Sequence, residues 1–218
     1  MAEFARSTAL PHVEARRSCQ ENTCYRPHTH DSFSIGLIDH GTAIFAGPLS
    51  GSVHLHPGDV IVIPAGQVHQ CNPHGGTWRY QMIHMDEKWA ANLTARAFTS
   101  QAFSSITVLC SPTLHHQASA WVDSIFTNQT ATDIESGFSA LMQSIMGTAP
   151  DHQVINPDNK ALIDQLSPVM DRLRDDKFNP SLDELAAIVG MSRYQLVRAM
   201  KQATGLTPLA WRQNIRVA

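Results

Sequence analysis

The sequence predicts an α+β chain of more than one domain: an N-terminal antiparallel β-barrel with a helical segment behind it, then a C-terminal unit built only of helices. Three observations carry that prediction. From Ser18 to Met85, short apolar runs are separated by Gly, Pro, Asp and His, the pattern of many short strands with a turn signal roughly every 8–12 residues. After Pro112 the apolar residues recur at three and four rather than at two, which is the helical period. Finally, the charge changes sign along the chain: residues 1–159 hold 7 Lys/Arg against 13 Asp/Glu, and residues 160–218 hold 9 against 6.

The composition is that of a folded chain. With 218 residues, 43% of them apolar and 16% charged, there is enough material for a real core, and disorder is excluded. No apolar run reaches the ~18 residues of a membrane span, and the N-terminus has no signal-peptide core. The expectation is a cytoplasmic protein with no membrane partner. Cys19, Cys24, Cys71 and Cys110 form no C-x-x-C pair and are read as reduced thiols.

Each element follows from local pattern. Strands are expected at Phe33–Ile38, Thr42–Ala46, Ser52–Leu55, Val60–Ile63 and Arg79–Met85. Along the last of these, Trp78, Tyr80, Met82 and His84 fall on one face, and Arg79, Gln81, Ile83 and Met85 on the other. Val60 to Ile63 is continuously apolar, as for a strand buried on both faces. Helices are expected at about 113–127, from Ala118, Trp121, Val122, Ile125 and Phe126, and at about 133–146, from Phe138, Leu141, Met142 and Ile145. Their apolar faces either cap the barrel or pair two copies of the chain into a homodimer. Residues 147–159 hold two prolines and a glycine and read as a linker. The expected division is therefore 1–90 barrel, 91–147 helical or dimerisation segment, 148–160 linker and 161–218 helical unit.

Within the last unit, Ala161–Asp175 places Leu162, Ile163, Leu166, Val169, Met170 and Leu173 on one face, with a kink or a late start at Pro168. Ser181 and Glu184 form a capping box that opens a helix over Leu182–Val189, and Gly190 stops it. Ser192 opens a second helix, over 192–203, that turns Leu196, Ala199 and Met200 inward. Gly205 ends that helix, and Pro208 sits at the first turn of a third. Two short helices joined by a three-residue glycine-containing turn have helix-turn-helix geometry. Beyond Glu184 the chain has no acid but keeps Arg193, Arg198, Lys201, Arg212 and Arg216, a local polyanion-binding signature. Arginine suits guanine edges, tyrosine and valine suit thymine methyls, and a helix N-terminus with Ser192 suits a phosphate.

This stretch resembles the first helix-turn-helix of the AraC/XylS family of bacterial transcription regulators. Ser181, Leu185, Ala186, Met191, Ser192, Leu196, Arg198, Lys201, Gly205, Thr207, Pro208, Trp211 and Arg216 stand where that family's motif has its marked residues, with Met200 in place of a Phe. The resemblance implies double-stranded DNA as partner, Tyr194, Val197 and Arg198 facing the bases, and Ser192, Arg193 and Lys201 beside them. It also implies a second helix-turn-helix beyond Ala218. Its absence from the sequence leads us to expect a truncated product with weakened DNA binding of its own.

The N-terminal part carries a separate constellation. His28-Thr29-His30 in an extended segment puts both imidazoles on one face, and His69 follows Gly58, Pro64 and Gly66. Three histidines could form a facial triad for a divalent metal. The spacing resembles the cupin barrel, a double-stranded β-helix: His28, His30, Gly41, Gly58, Pro64, Gly66 and His69 match, and Asn72 comes one residue early. Ser34 stands where cupins have a Glu, which removes the anionic ligand. Two readings follow. In the first, the chain is not an enzyme but a ligand-responsive regulator with no cofactor. A small polar effector then lies among His28, His30, Ser34, His69, Trp78 and Tyr80 at the barrel mouth. In the second, it is a metal-dependent cupin enzyme using His28, His30 and His69.

Overall fold

A computed structural model describes residues 2–21, 25–47, 51–94, 105–154, 160–175 and 180–215. Cys24 and Arg216, both invoked above, lie outside the described residues. Among the described residues, ten strands form two antiparallel sheets. They are β1 (Ala2–Arg6), β2 (Val13–Glu21), β3 (Phe33–His40), β4 (Ala43–Ala46), β5 (Ser52–Leu55), β6 (Asp59–Ile63), β7 (Gln70–Pro73), β8 (Thr77–Met85), β9 (Ile106–Cys110) and β10 (His152–Val154). The larger sheet runs β1-β2-β8-β3-β6-β9-β10 and the smaller β5-β4-β7.

The inner face of the larger sheet closes on the smaller one, giving the cupin-like barrel. Its outer face is covered by α2 (Pro112–Phe126) and α3 (Ala131–Met146). A short helix, α1 (Glu87–Leu93), follows β8. The sheet is therefore buried on both sides. Along β6, Val60 and Val62 join the core under the helices while Ile61 and Ile63 join the core inside the barrel. That is why this strand reads as an unbroken apolar run. Gly41 carries the chain out of β3 with φ of 75°, and a Cβ there would lie 2.4 Å from the Thr77 carbonyl oxygen. Only glycine fits.

Several elements differ from the sequence expectation. The strands begin at Ala2, sixteen residues before Ser18, where β1 forms the sheet margin and pairs with β2. β9 lies inside the segment read as helical, and β10 lies inside the segment read as linker. Three residues are too few to show a period, so β10 is visible only through its pairing with β9. The helical pair agrees closely with the expected spans. Its apolar residues do not form an association surface, however. Leu114, Ala118, Trp121, Val122 and Ile125 of α2 and Ile134, Phe138, Leu141, Met142 and Ile145 of α3 are all buried against the sheet and each other. The Trp121 indole donates to the Ile134 carbonyl at 2.8 Å, tying the two helices together.

The C-terminal unit has its own core around Leu166, Val169, Leu173, Leu185, Leu196, Met200 and Trp211. It comprises α4 (Lys160–Arg174), α5 (Leu182–Ile188), α6 (Arg193–Thr204) and α7 (Pro208–Ile215). α4 runs through Pro168. A proline leaves the carbonyl four residues earlier without its amide donor, and here the Ser167 hydroxyl donates to that carbonyl, of Asp164, at 3.0 Å. Both expected caps form. The Ser181 hydroxyl and Glu184 carboxylate close reciprocally over α5, and Ser192 and Gln195 do the same over α6. Gly205 ends α6 with φ of 73°, a left-handed conformation that favours glycine.

Candidate functional site

Inside the barrel lies a cavity of about 90 Å³. Its walls are mostly apolar: Ile38, Phe45, Ile61, Ile63 and Met82, with Trp78 and Tyr80 stacked at 4.1 Å between ring centroids. Side-chain alternation on β8 delivers Trp78, Tyr80, Met82 and His84 to this cavity and sends Ile83 and Met85 to the opposite core. The Tyr80 hydroxyl meets that of Tyr25 at 3.3 Å, and burial pushes its pKa up to about 12, so it stays protonated. Arg16, over the Tyr80 ring at 5.6 Å, is the one charged side chain among the described lining residues.

Four imidazoles meet at one end of the cavity. His28 lies not in a strand but in an extended segment joined to His69 by a single two-bond bridge, both bonds 2.9 Å. The ring centroids are 4.9 Å apart for His28 and His30, 4.6 Å for His28 and His69, and 5.1 Å for His30 and His69. One nitrogen from each of these three lies within 4.8 Å of the others. His84 adds a fourth ring, 4.7 Å from His30. Burial holds the His30 pKa down at about 2 and the His69 pKa at about 4, helped by the neighbouring imidazoles. Burial lowers His84 as well. The rings of His30, His69 and His84 are therefore neutral at ordinary pH.

Of the six ligand-site residues expected from sequence, five line the cavity: His28, His30, His69, Trp78 and Tyr80. Ser34 does not. It is fully buried behind His84, with its hydroxyl 2.8 Å from the His84 Nδ1. His84, Arg16, Tyr25 and Met82 were missed. The alternation on β8 had placed His84 beside Trp78 and Tyr80. Only the register of β3 on β8, which pairs Ser34 with His84, brings it to the other histidines.

The second candidate region is the outer face of α6. Ser192, Arg193, Tyr194, Arg198 and Lys201 are exposed there, Val197 is half-buried, and Leu196 and Met200 face the core. Tyr194 is 69% exposed. The Arg193 guanidinium lies over its ring at 5.1 Å. The Ser192 hydroxyl accepts from the Gln195 amide at 3.3 Å. Arg212, grouped above with the basic residues, is buried, so it does not belong to this face. It lies in α7 next to Trp211, which belongs to the core of the helical unit.

The model of the AraC-like ligand-binding domain matches residues 10–146, and that of the bacterial regulatory helix-turn-helix proteins of the AraC family matches residues 177–213. The chain belongs to the AraC family. It is a ligand-responsive, DNA-binding transcription regulator rather than a metal-dependent cupin enzyme. No curated protein matches it in sequence. Among solved structures it resembles ToxT from Vibrio cholerae O395, at 12% identity with a TM-score of 0.55, over 94% of this chain and 80% of ToxT. It also resembles unsaturated fatty acid-bound ToxT from Vibrio cholerae strain SCE256, at 10% identity and a TM-score of 0.51, over 100% of this chain and 78% of the other. Likeness at this identity speaks for the fold alone.

In this AraC-family chain the barrel and the helical unit touch where the histidines are. The alternation that turns His28 and His30 into the cavity turns Thr29 outward. There the Thr29 amide donates to the Asn214 side-chain carbonyl of α7 at 2.9 Å, and the Asn214 amide donates to the Thr29 hydroxyl at 2.8 Å and to its carbonyl at 3.3 Å. Val68, the neighbour of His69, is buried in the core of the helical unit. Beside this contact lies a larger cavity of about 680 Å³, lined by Thr29, Asp31, Ile163, Met170, Arg174 and Trp211 among others. Among the described residues, no helix is long and apolar enough to cross a membrane.

Proposed function

We propose that the barrel is the effector site, that α6 is the reading helix, and that the Thr29–Asn214 contact carries the signal between them. The observation behind this reading is the shared backbone. The two segments that present His28, His30 and His69 to the cavity present their intervening or adjacent residues, Thr29 and Val68, to the helical unit. A ligand drawn in by His28, His30 and His69, with Trp78 and Tyr80 behind them, favours one placement of these segments. It shifts the docking of the helical unit by as much as its affinity differs between the two placements.

On the DNA side, Arg193, Tyr194, Val197 and Arg198 enter the major groove, while Ser192 and Lys201 hold phosphates. In this reading 1–90 and 91–147 act as one sensor body joined through β9, 148–160 is the linker, and 161–218 is the reader. The reading is of a cytoplasmic, non-enzymatic regulator that works as a homodimer. Support for the dimer comes from the two-fold habit of helix-turn-helix readers, not from apolar surface on α2 or α3. The effector is small. A cavity of about 90 Å³ falls well below the roughly 300–1,000 Å³ of sites for drug-sized molecules.

The test is fluorescence anisotropy with labelled DNA from upstream of its own gene and a scrambled duplex of equal length. Selective binding is expected, with Arg198→Ala costing about 1–3 kcal/mol on the selected duplex only. Lys201→Ala is expected to weaken both duplexes alike and to lower the salt slope by about 1. Equal affinity for the two duplexes overturns the reading.

A further inference from the structure

The size of the barrel cavity and the chemistry of its closed end narrow the effector further. A space of about 90 Å³ is small beside the roughly 300–1,000 Å³ of sites for drug-sized molecules and ample for an ion. The groups at its end are imidazoles. A carbonyl oxygen only accepts hydrogen bonds, so the Nδ1 atoms of His28, on the Arg26 carbonyl at 2.8 Å, and of His69, on the Gln67 carbonyl at 2.9 Å, carry the ring protons. The Nε2 lone pairs remain for a ligand. A carbonyl or hydroxyl behind one ring nitrogen is the outer-shell arrangement that orients metal-binding histidines. His84 is backed in the same way by Ser34.

Ser34 is also the position at which a carboxylate would complete the cupin pattern. The pairing of Ser34 with His84 across β3 and β8 puts an imidazole beside the position that the missing carboxylate leaves. No acidic residue is among the described residues lining the cavity. A neutral set of nitrogen donors suits zinc, copper, nickel and cobalt and does not suit magnesium, calcium or manganese, which prefer oxygen.

We infer that this corner of the barrel binds one divalent transition-metal ion through His28, His30 and His69, that His84 is the fourth imidazole in place of the carboxylate, and that the ion is the regulator's effector. The effector role rests on the function proposed above, whereas the site itself does not. The mechanical consequence is direct. The three nitrogens lie within 4.8 Å of one another, and a tetrahedral zinc holds its nitrogens at roughly 3.3 Å. Closing on an ion draws the His28–His30 and Val68–His69 segments together, and with them the two residues that touch the helical unit.

The experiment uses the chelator-stripped, desalted chain titrated with cobalt(II) and, in a second series, zinc(II), and read by visible absorption and calorimetry. One equivalent is expected to bind, with d–d bands of nitrogen-coordinated cobalt that zinc displaces. His69→Ala is expected to abolish binding, and His84→Gln to weaken it tenfold or more, each with far-UV dichroism and thermal melting to show a folded barrel. Absence of stoichiometric binding by the unmodified chain overturns the site, and so does binding that both variants keep. Anisotropy on the selected duplex, with and without zinc, is then read separately. A change of fivefold or more that His69→Ala removes supports the effector role. Stoichiometric zinc without any change in DNA affinity overturns that role and leaves the site standing. Loss of selectivity with or without zinc overturns the proposed function instead.

Discussion

The two faces of the seven-stranded sheet are built from the same strands and serve opposite purposes. On the helix-covered face, Phe33, Ile35, Leu37, Val60, Val62, Ile83 and Met85 meet α2 and α3 in a continuous apolar core. On the barrel face, Ile61, Ile63, Trp78 and Tyr80 pack equally well at first. The packing then gives way to a cavity, four imidazoles and an arginine. Strands β6 and β8 contribute to both faces, so the contrast cannot come from the backbone. It comes from alternate residues. One face is filled for stability, and the other is left partly open where binding needs room, which concentrates local rule-breaking at the functional site.

Phe138→Ala is the sharpest test of the closed face. Phe138 is fully buried, with ring contacts to Trp121 at 5.3 Å and Trp89 at 5.1 Å, so urea unfolding is expected to show a loss of about 3–5 kcal/mol. Met82→Ala, on the open face, is expected to cost only about 1–2 kcal/mol, because that side chain already borders empty space. Equal losses would erase the distinction between the faces.

Acid is expected to act through the open face. Burial holds the folded pKa values of His30 and His69 near 2 and 4, below the unfolded value of 6.5. The unfolded chain therefore takes up protons first. The contribution of these groups is complete above pH 6.5 and is lost as pH falls towards the folded values. Between pH 7 and about pH 4.5 the loss is expected to reach about 5 kcal/mol for the two groups together. Thermal melting as a function of pH measures it, and His30→Gln is expected to flatten the slope. An unchanged slope in that variant would place the acid sensitivity elsewhere.

Smaller effects sharpen the comparison between sensor and reader. Asn214→Ala removes the hydrogen bonds to Thr29, worth about 1–3 kcal/mol together. Limited proteolysis is expected to release the helical unit faster, with the barrel's melting unchanged. Ser192→Ala removes the cap of α6 and is expected to cost about 1 kcal/mol, seen as faster amide exchange in the first turn of that helix.

Legibility in the sequence tracked the distance over which contacts are made. The helix-turn-helix was read almost to the residue. Its capping boxes, Gly190, Gly205 and the apolar positions Leu185, Leu196 and Met200 act within a few residues of one another, and a helix expresses local chemistry directly. The exceptions are the residues that leave the helix rule for tertiary reasons, such as Arg212, buried beside Trp211. The barrel was legible as a class and through His28, His30 and His69. Its first two strands were missed, along with β9 and β10, and of the two readings of the helical faces the structure shows the one that caps the barrel. Charged alternation on β2 and the three residues of β10 give no periodic signal, and their strand character exists only in the pairing.

What the sequence determined by itself was the list of parts: a strand-rich half, two amphipathic helices, a reading helix with its arginines, and histidines spaced by two. Side-chain period and capping chemistry decide these, and both are properties of neighbouring residues. What the tertiary structure alone decided was which parts meet. The register of β3 on β8 sets Ser34 against His84 and completes the imidazole corner. The docking of α7 sets Asn214 against Thr29, 185 residues away. Such contacts depend on the summed packing of the whole chain. A local pattern can place a side chain on a face, but only closure of the fold chooses what that face will touch.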